Sequence, residues 1–547
     1  MPHPPEKTKR HPLIAGAVIT SVGTLVCRIL GFLRDRATAS LLGLAGSGVA
    51  DAFVIAYRIP NLFRRLFGEG ALTASYLPVL TAYLEKDRKQ ASQLASVLVT
   101  VLTIFLTGLV LVGEILCWSV QHLFGHMEGV TLLMGLSAAM LPYLLFVCLM
   151  AQLTTMLYAA QNFTVPALTP IMLNVVWLLA AWLVAPRFAS SQLAQAYVLG
   201  AGVIVGGVVQ VVVQIPKVLQ LGYRFDYNWA AARDGLQQVR RNFTPMLLGL
   251  AVTQINTFND SIIAWGLAAS EKGSQFLPWF GDTLRYPMKQ GAAAALYYGE
   301  RMYEVPLGLV GTAVAVAIFP LLSRHAARGD RRQLGADMTL GLRFVFCLGL
   351  PSGIGLMLLA EPIARLLFQT GNFGPEDTLR AARAIAYYSS GVWAYCITQV
   401  IVRGFYAVND CGTPVRVAAW MVALNLTLNL TLVWPLEEAG LALATAIAAG
   451  IQSLILLAIF SRSHATLLWR PMMAAVGRTI LASSAMALVV CVVFPLMPTG
   501  SRTISQLLQV CVPILAGAAI YVGLYWLLGG RELIMLMGGG TRLPVDD

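Results

Sequence analysis

Three arginines stand where an apolar helix should have none: Arg28, Arg58 and Arg301 each lie inside a largely apolar segment. A charge at the centre of a bilayer costs from about 3 to more than 10 kcal/mol, so such a side chain faces a polar cavity or a partner. A guanidinium forks onto phosphate oxygens through parallel N–H donors. A chamber lined by several of them therefore suits an anionic, phosphate-bearing ligand. Asp51 precedes Arg58 by seven residues and shares its helix face, so an ion pair between the two is a competing use of both charges. Glu300 and Glu304 sit at i−1 and i+3 of Arg301. Arg34, Arg64 and Arg65, at the ends of apolar runs, are open to the simpler reading of side chains that reach out to water.

The elements that carry these charges are membrane spans. The 547-residue chain is 57% hydrophobic and 12% charged, with a mean hydropathy of +0.71, which excludes a water-soluble globular protein. Runs long enough to cross the hydrocarbon core lie near 13–33, 48–67, 92–118, 131–158, 167–185, 193–216, 242–269, 294–322, 339–359, 381–407, 414–434, 438–460, 473–495 and 506–528. The expected fold is thus all-α, a polytopic membrane protein of fourteen helices; the first, second, seventh and eighth are the most polar. Lys7, Lys9 and Arg10 precede a long apolar run, which reads as a first span rather than a signal peptide.

Lys and Arg cluster in alternate loops: Arg64/Arg65 with Lys86, Arg88 and Lys89, then Lys217 to Arg241, then Arg324 to Arg332. That bias places both termini in the cytoplasm. It also explains the net charge of +12 as topology, with no nucleic-acid partner implied.

The chain also resembles itself. Tyr158-Ala-Ala-Gln-Asn-Phe-Thr-Val-Pro166 aligns without a gap with Tyr406-Ala-Val-Asn-Asp-Cys-Gly-Thr-Pro414, and Arg58 and Arg301 precede Pro78-Val-Leu and Pro320-Leu-Leu by 20 and 19 residues. An offset of six spans gives two parallel six-helix lobes plus two further C-terminal spans, with a substrate site between the lobes. The expected division is a tail at 1–12, an N-lobe over 13–220, a C-lobe over 221–460, two last spans within 461–528, and a tail at 529–547. Pro60 and Pro306 follow the charges, and Phe67-Gly-Glu-Gly-Ala71 invites a turn.

Other chemistries find little support. The eight cysteines are scattered singly with no C-x-x-C pair, so no zinc site or disulfide framework is indicated. No acidic metal-binding cluster of the D-D-x-x-D kind occurs, which argues against a membrane-embedded transferase. A net-cationic chamber argues against an exporter of cationic drugs.

Arg28-Ile-Leu-Gly-Phe-Leu-Arg-Asp35, Asp51-Ala-Phe, and Arg58-Ile-Pro-Asn-Leu-Phe-Arg-Arg-Leu-Phe-Gly-Glu-Gly-Ala71 together resemble the N-terminal signature of the MurJ (MviN) family in the MOP exporter superfamily. Tyr298-Gly-Glu-Arg-Met-Tyr-Glu-Val-Pro306, Phe319-Pro-Leu-Leu-Ser323, Phe368-Gln-Thr-Gly-Asn-Phe373 and Gly404-Phe-Tyr-Ala extend it. The resemblance runs from residue 12 to about 530.

It implies a monomeric, multi-pass flippase of the bacterial inner membrane, not an enzyme. Its cargo would be lipid II, the undecaprenyl-pyrophosphate-linked peptidoglycan precursor, moved by alternating access in the service of cell-wall biogenesis and cell shape. Another undecaprenyl-pyrophosphate glycan or an anionic lipid is the alternative cargo. By position, Arg28, Arg34, Arg64 and Arg301 match the family's cavity arginines, and Asp35, Asp51 and Glu69 its acidic positions; Arg58 joins them from the reading above. The resemblance implies no cofactor, but a sodium site in some members corresponds to Asp260, Asn425, Asn429, Leu441 through its carbonyl, and Thr445. Coupling to sodium or to membrane potential stays open. It also implies that the last two spans line a groove for the lipid tail. The 270–294 loop is longer than the resemblance leads one to expect, and its Phe276, Trp279 and Phe280 suit a membrane interface.

Overall fold

The computed structural model describes residues 10–44, 47–68, 71–127, 129–270, 275–277, 283–498, 500 and 503–532. The first part of the chain forms α1 (Arg10–Leu42), α2 (Val49–Phe63), α3 (Ala71–Lys86), α4 (Arg88–Phe124), α5 (Val130–Met140), α6 (Tyr143–Ala159), α7 (Thr164–Leu179), α8 (Ala185–Phe188) and α9 (Gln192–Gln220). There follow α10 (Trp229–Gly266), α11 (Ala292–Pro306), α12 (Ala313–Ala327), α13 (Arg331–Leu358), α14 (Ala360–Phe368), α15 (Pro375–Ser389), α16 (Val392–Ala407), α17 (Gly412–Leu436) and α18 (Glu438–Ser463). Helices α19 (Trp469–Val493) and α20 (Thr503–Leu527) come last and pack on each other. Short parallel strands β1 (Ala268–Ala269) and β2 (Met288–Lys289) tie the two ends of the α10–α11 connection together.

Every segment expected as a span lies on helix. Ten helical stretches among the described residues are long and apolar enough to cross a membrane. The expected first, second and seventh segments fall outside that set. The eighth, expected to be polar, belongs to it: Ala292–Ala327 reaches a window hydropathy of 2.2, because the residues after Pro306 are almost wholly apolar. The tenth drops out instead: it is split between α15 and the 16-residue α16, and it is rich in Tyr and Ser.

Helix starts follow local chemistry. The side chains of Asp87, Ser191, Asn228 and Asp330 accept backbone N–H bonds at the first turns of α4, α9, α10 and α13, satisfying donors that have no partner within the helix.

The internal repeat is visible in the backbone. Gln161 (φ 56°) and Asn409 (φ 61°) are both left-handed and occupy matching positions of the aligned loops. Asn162 N–H donates to Leu157 O at 2.8 Å, and Asp410 N–H to Phe405 O at 2.9 Å. Helices α6 and α16 therefore end in the same left-handed cap with a six-to-one bond. A second correspondence lies further up the chain. α2 and α11 both start at a left-handed glycine, Gly48 (φ 63°) and Gly291 (φ 93°). Both also run into a wide π-helical stretch after their proline, Arg64–Gly68 and Leu307–Thr312.

Helices α1 to α9 pack among themselves, as do α11 to α18, while α10 joins both sets, resting on α3 and α4 and on α17. Helices α3 and α14 were not anticipated from hydropathy. The turn expected at 67–71 is partly π-helix, and Glu69 lies outside the described residues, as do Trp279 and Phe280. Phe276 stacks against the Arg285 guanidinium at 5.5 Å.

Candidate functional site

Helices α2, α10 and α11 meet along a cleft of about 180 Å³. Arg34, Arg58, Arg64, Arg65 and Arg301 line it, together with Glu300, Glu304, Tyr297 and Gln254. The repeat explains why both halves contribute cations: Arg58 and Arg301 sit at similar distances beyond the left-handed glycines that start α2 and α11.

Nearly every charge is tied across the halves. Arg58 Nη2 meets Glu300 Oε2 at 2.6 Å, and Arg58 Nη1 donates to the Thr257 carbonyl at 3.2 Å. Arg65 reaches Glu304 at 3.7 Å and Gln254 at 3.3 Å. Arg301 bonds Glu304 on its own helix at 2.8 Å and lies 3.7 Å from Asp35 of α1. The Tyr297 hydroxyl bridges the same groups: it accepts from Arg301 Nη2 at 3.1 Å and donates to Asp35 at 3.3 Å. Five guanidiniums thus face three carboxylates, Asp35, Glu300 and Glu304. Among the described residues the buried Nε donors of Arg58 and Arg301 have no hydrogen-bond acceptor, that of Arg301 coming no nearer than the 3.7 Å ion-pair contact with Asp35. Such donors stay costly until an acceptor arrives.

Arg34 is pinned within its own half. Its guanidinium bonds Asp35 at 2.8 Å and Asn174 at 3.3 Å and stacks 4.8 Å over Trp177. Asn174, Trp177, Tyr57 and Tyr297 escaped sequence reasoning, since polar and aromatic residues inside spans carry no sign of which helix they face. Arg64 bonds Asn61 at 3.1 Å. Arg28 stands away from the cleft, exposed, with its guanidinium against Gly308 of the second half, where an added Cβ would lie 2.7 Å from Nη2.

Asp51 is not beside Arg58. It is buried (1% exposed) at the far end of α2, where its carboxylate accepts from Gly291 N–H at 2.6 Å and Ala294 N–H at 2.8 Å. It therefore caps α11 from the other half of the chain, placing negative charge at that helix's positive end. Around it, Asp377 accepts from Leu44 N–H at 3.1 Å, Ser40 O accepts from Asn372 N–H at 2.8 Å, and Arg36 donates to Leu366 O at 2.9 Å. These bonds close the end of the molecule that bears the 43–48 and 370–374 loops.

A second polar cluster joins α10, α17 and α18. Asp260 accepts from Asn429 Nδ2 at 2.6 Å and from Thr445 Oγ1 at 3.0 Å. The Asn425 and Asn429 side chains, one turn apart, meet at 3.0 Å. All three of Asp260, Asn425 and Asn429 are at most 3% exposed, and the buried Asn429 Oδ1 has no hydrogen-bond partner among the described residues. Leu441 is buried one turn before Thr445. Four of the five residues expected from the resemblance, Asp260, Asn425, Asn429 and Thr445, thus meet from three helices in a set rich in oxygen atoms, a donor type that suits a hard cation such as sodium.

An apolar groove of about 670 Å³ runs between α13, α16, α18 and α19, with Trp393 and Trp469 in its walls. Of the last two spans only α19 lines it.

Residues 38–511 match the family described as lipid II flippase MurJ. The chain belongs to that family. A probable lipid II flippase MurJ of Vibrio cholerae is 32% identical over 82% of the chain and 83% of its own length. One of Rhizobium meliloti is 29% identical over 94% and 93%, and the lipid II flippase MurJ of Burkholderia cenocepacia is 29% identical over 80% and 82%. A solved lipid II flippase MurJ in an inward closed conformation superposes with a TM-score of 0.73 at 24% identity, covering 94% of this chain and all of that one. An inward-facing multidrug resistance MATE transporter of the MOP superfamily shares the fold more distantly, with a TM-score of 0.62 at 12% identity, covering 81% of this chain and 99% of that one. The ten apolar helices and MurJ membership make the chain a multi-pass protein of the inner membrane, a transporter rather than a catalyst.

Proposed function

We propose that the chain translocates lipid II by alternating access, with the guanidinium cleft holding the pyrophosphate. The observation that carries this reading is the cleft itself: five arginines from both halves converge, and among the described residues two of their buried Nε donors have no hydrogen-bond acceptor. Pyrophosphate supplies the oxygens those donors lack. Any undecaprenyl-pyrophosphate glycan shares that chemistry, and family membership favours lipid II.

At 180 Å³ the cleft lies below the roughly 300–1,000 Å³ of sites that enclose small ligands. The halves therefore part before a disaccharide-pentapeptide enters. Glu300, Glu304 and Asp35 neutralise the arginines while the cleft is empty, and an arriving pyrophosphate competes with them. Since the Arg58–Glu300, Arg65–Glu304 and Arg301–Asp35 contacts all cross the halves, that exchange releases one half from the other. Cargo binding and rocking are thereby coupled. The Asp51 cap on α11 keeps the opposite end shut.

The reading includes fourteen spans with both termini cytoplasmic, supported by the Lys/Arg bias of the loops, so that the end closed by Asp51 faces outward. The protein acts as a monomer with an N-lobe over 13–220, a C-lobe over 221–460 and two last spans within 461–528. Asp260, Asn425, Asn429, Leu441 and Thr445 would hold sodium, which supplies a counter-charge for Asp260. Membrane potential is the other drive, at about 2.3 kcal/mol per charge for 100 mV.

Depletion of the host's lipid II flippase, complemented by this chain, tests the function. Growth and normal shape are expected with the unmutated chain and loss of both with Arg301→Ala; lysis with the unmutated chain would overturn the assignment.

A further inference from the structure

A second cleft, of about 510 Å³, opens between the first half of α10 and helices α3 and α4. Its floor is apolar: Leu72, Leu98 and Val101 on one side face Leu236, Val239 and Phe243 on the other. Its rim carries Arg233 and Arg240. Seven residues apart on α10, they share one face about 10 Å apart along the axis. Both are exposed, and neither is paired with a carboxylate among the described residues. Trp229, 50% exposed, stands at the mouth, a residue type that settles at the boundary between headgroups and hydrocarbon.

The floor does not stop at the cleft. Val101 is 38% exposed, and it leads along α4 to Ile104 (68%) and Phe105 (49%). An apolar track thus runs from the two guanidiniums out to the lipid-facing surface of α4. The Phe67 ring adjoins both sides of this apolar surface, 5.5 Å from Phe105 and 5.6 Å from Phe243.

We propose that this cleft is a binding site for an anionic diacyl phospholipid, with its phosphate between Arg233 and Arg240 and one acyl chain laid over Leu98, Val101 and Ile104. Charge complementarity selects the headgroup, and the continuous apolar track selects a molecule with a tail over a free phosphate. The site does not rest on the transport reading; only the leaflet that supplies the lipid, the inner one, rests on the proposed orientation. Because α10 packs on α3 and α4 with one half and on α17 with the other, a lipid held here braces the helix that joins the two sets.

The test uses the purified full chain in nanodiscs of phosphatidylcholine, titrated with spin-labelled phosphatidylglycerol and, separately, spin-labelled phosphatidylcholine. The immobilised fraction is expected to favour phosphatidylglycerol, and Arg233→Ala with Arg240→Ala should weaken that preference by about thirtyfold, at roughly a kcal/mol per cation. Val101→Trp, which fills the cleft and keeps both charges, should weaken phosphatidylglycerol binding as well. Equal binding of the two lipids, or no effect of the double variant, would overturn the proposal. So would a loss confined to the charge variant, which would mean diffuse surface attraction without a cleft. Displacement of phosphatidylglycerol by undecaprenyl pyrophosphate more readily than by unlabelled phosphatidylglycerol would assign the cleft to cargo and also contradict it.

Discussion

Arg58 and Glu300 come from opposite halves of the chain and meet at 2.6 Å, with side chains only 11% and 14% exposed. Removing one partner leaves the other charge buried alone, which costs about 3 kcal/mol or more. Glu300→Ala should therefore lower the melting temperature of the purified protein. Adding Arg58→Ala should restore much of the loss without restoring transport. A double-mutant cycle on thermal unfolding reads the coupling, and additive losses would show that the pair is not a lock.

Asp51 supplies two charge-assisted bonds to the start of α11, each worth about 1.5–3 kcal/mol. Asp51→Ala should shift the population away from the closed outer end by at least about tenfold, since 1.4 kcal/mol is a factor of ten. Spin labels at Ser47 and Glu376 would report it as a longer, broader distance distribution. Gly291→Ala should act in the same direction, because its φ of 93° is left-handed and an added Cβ would lie 2.5 Å from the Leu44 carbonyl oxygen. Unchanged distances in both variants would remove the gate role.

The sodium reading of the Asp260 cluster is checked without any transport assay. Replacing N-methylglucamine with sodium should raise the melting temperature of the full chain, by mass action on the folded state. Asp260→Asn should abolish the rise. Asn429→Asp, which adds a second carboxylate, should move the midpoint to lower sodium. A melting temperature indifferent to sodium would count against the site.

How much of this was legible beforehand differs from residue to residue. The repeat was legible because its Tyr-to-Pro loops encode a left-handed cap that both halves need, now seen at Gln161 and Asn409. The cleft arginines were legible because a cation in an apolar run has few other uses. Asp51 was not: its seven-residue spacing from Arg58 is real, but two helical turns separate the charges, and backbone N–H groups of another helix leave no mark on a one-chain pattern. Glu300 and Glu304 were visible beside Arg301, yet only the packing of α2 on α11 shows that they answer Arg58 and Arg65. The amphipathic α14 and the partly polar α3 lacked the long apolar run that signals a span.

The central claim is that the fork of these guanidiniums moves a pyrophosphate lipid across the bilayer. Its most direct test is transfer of peptide-labelled lipid II between leaflets of proteoliposomes containing the full chain, compared with Arg58→Lys and Arg301→Lys. These variants keep the charge and lose the bidentate geometry. Transfer well above that of empty liposomes, falling about tenfold or more in each variant, is the expected result, given that charged hydrogen bonds are worth about 1.5–3 kcal/mol. Transfer equal to that of empty liposomes, or unchanged in both variants, would contradict the account.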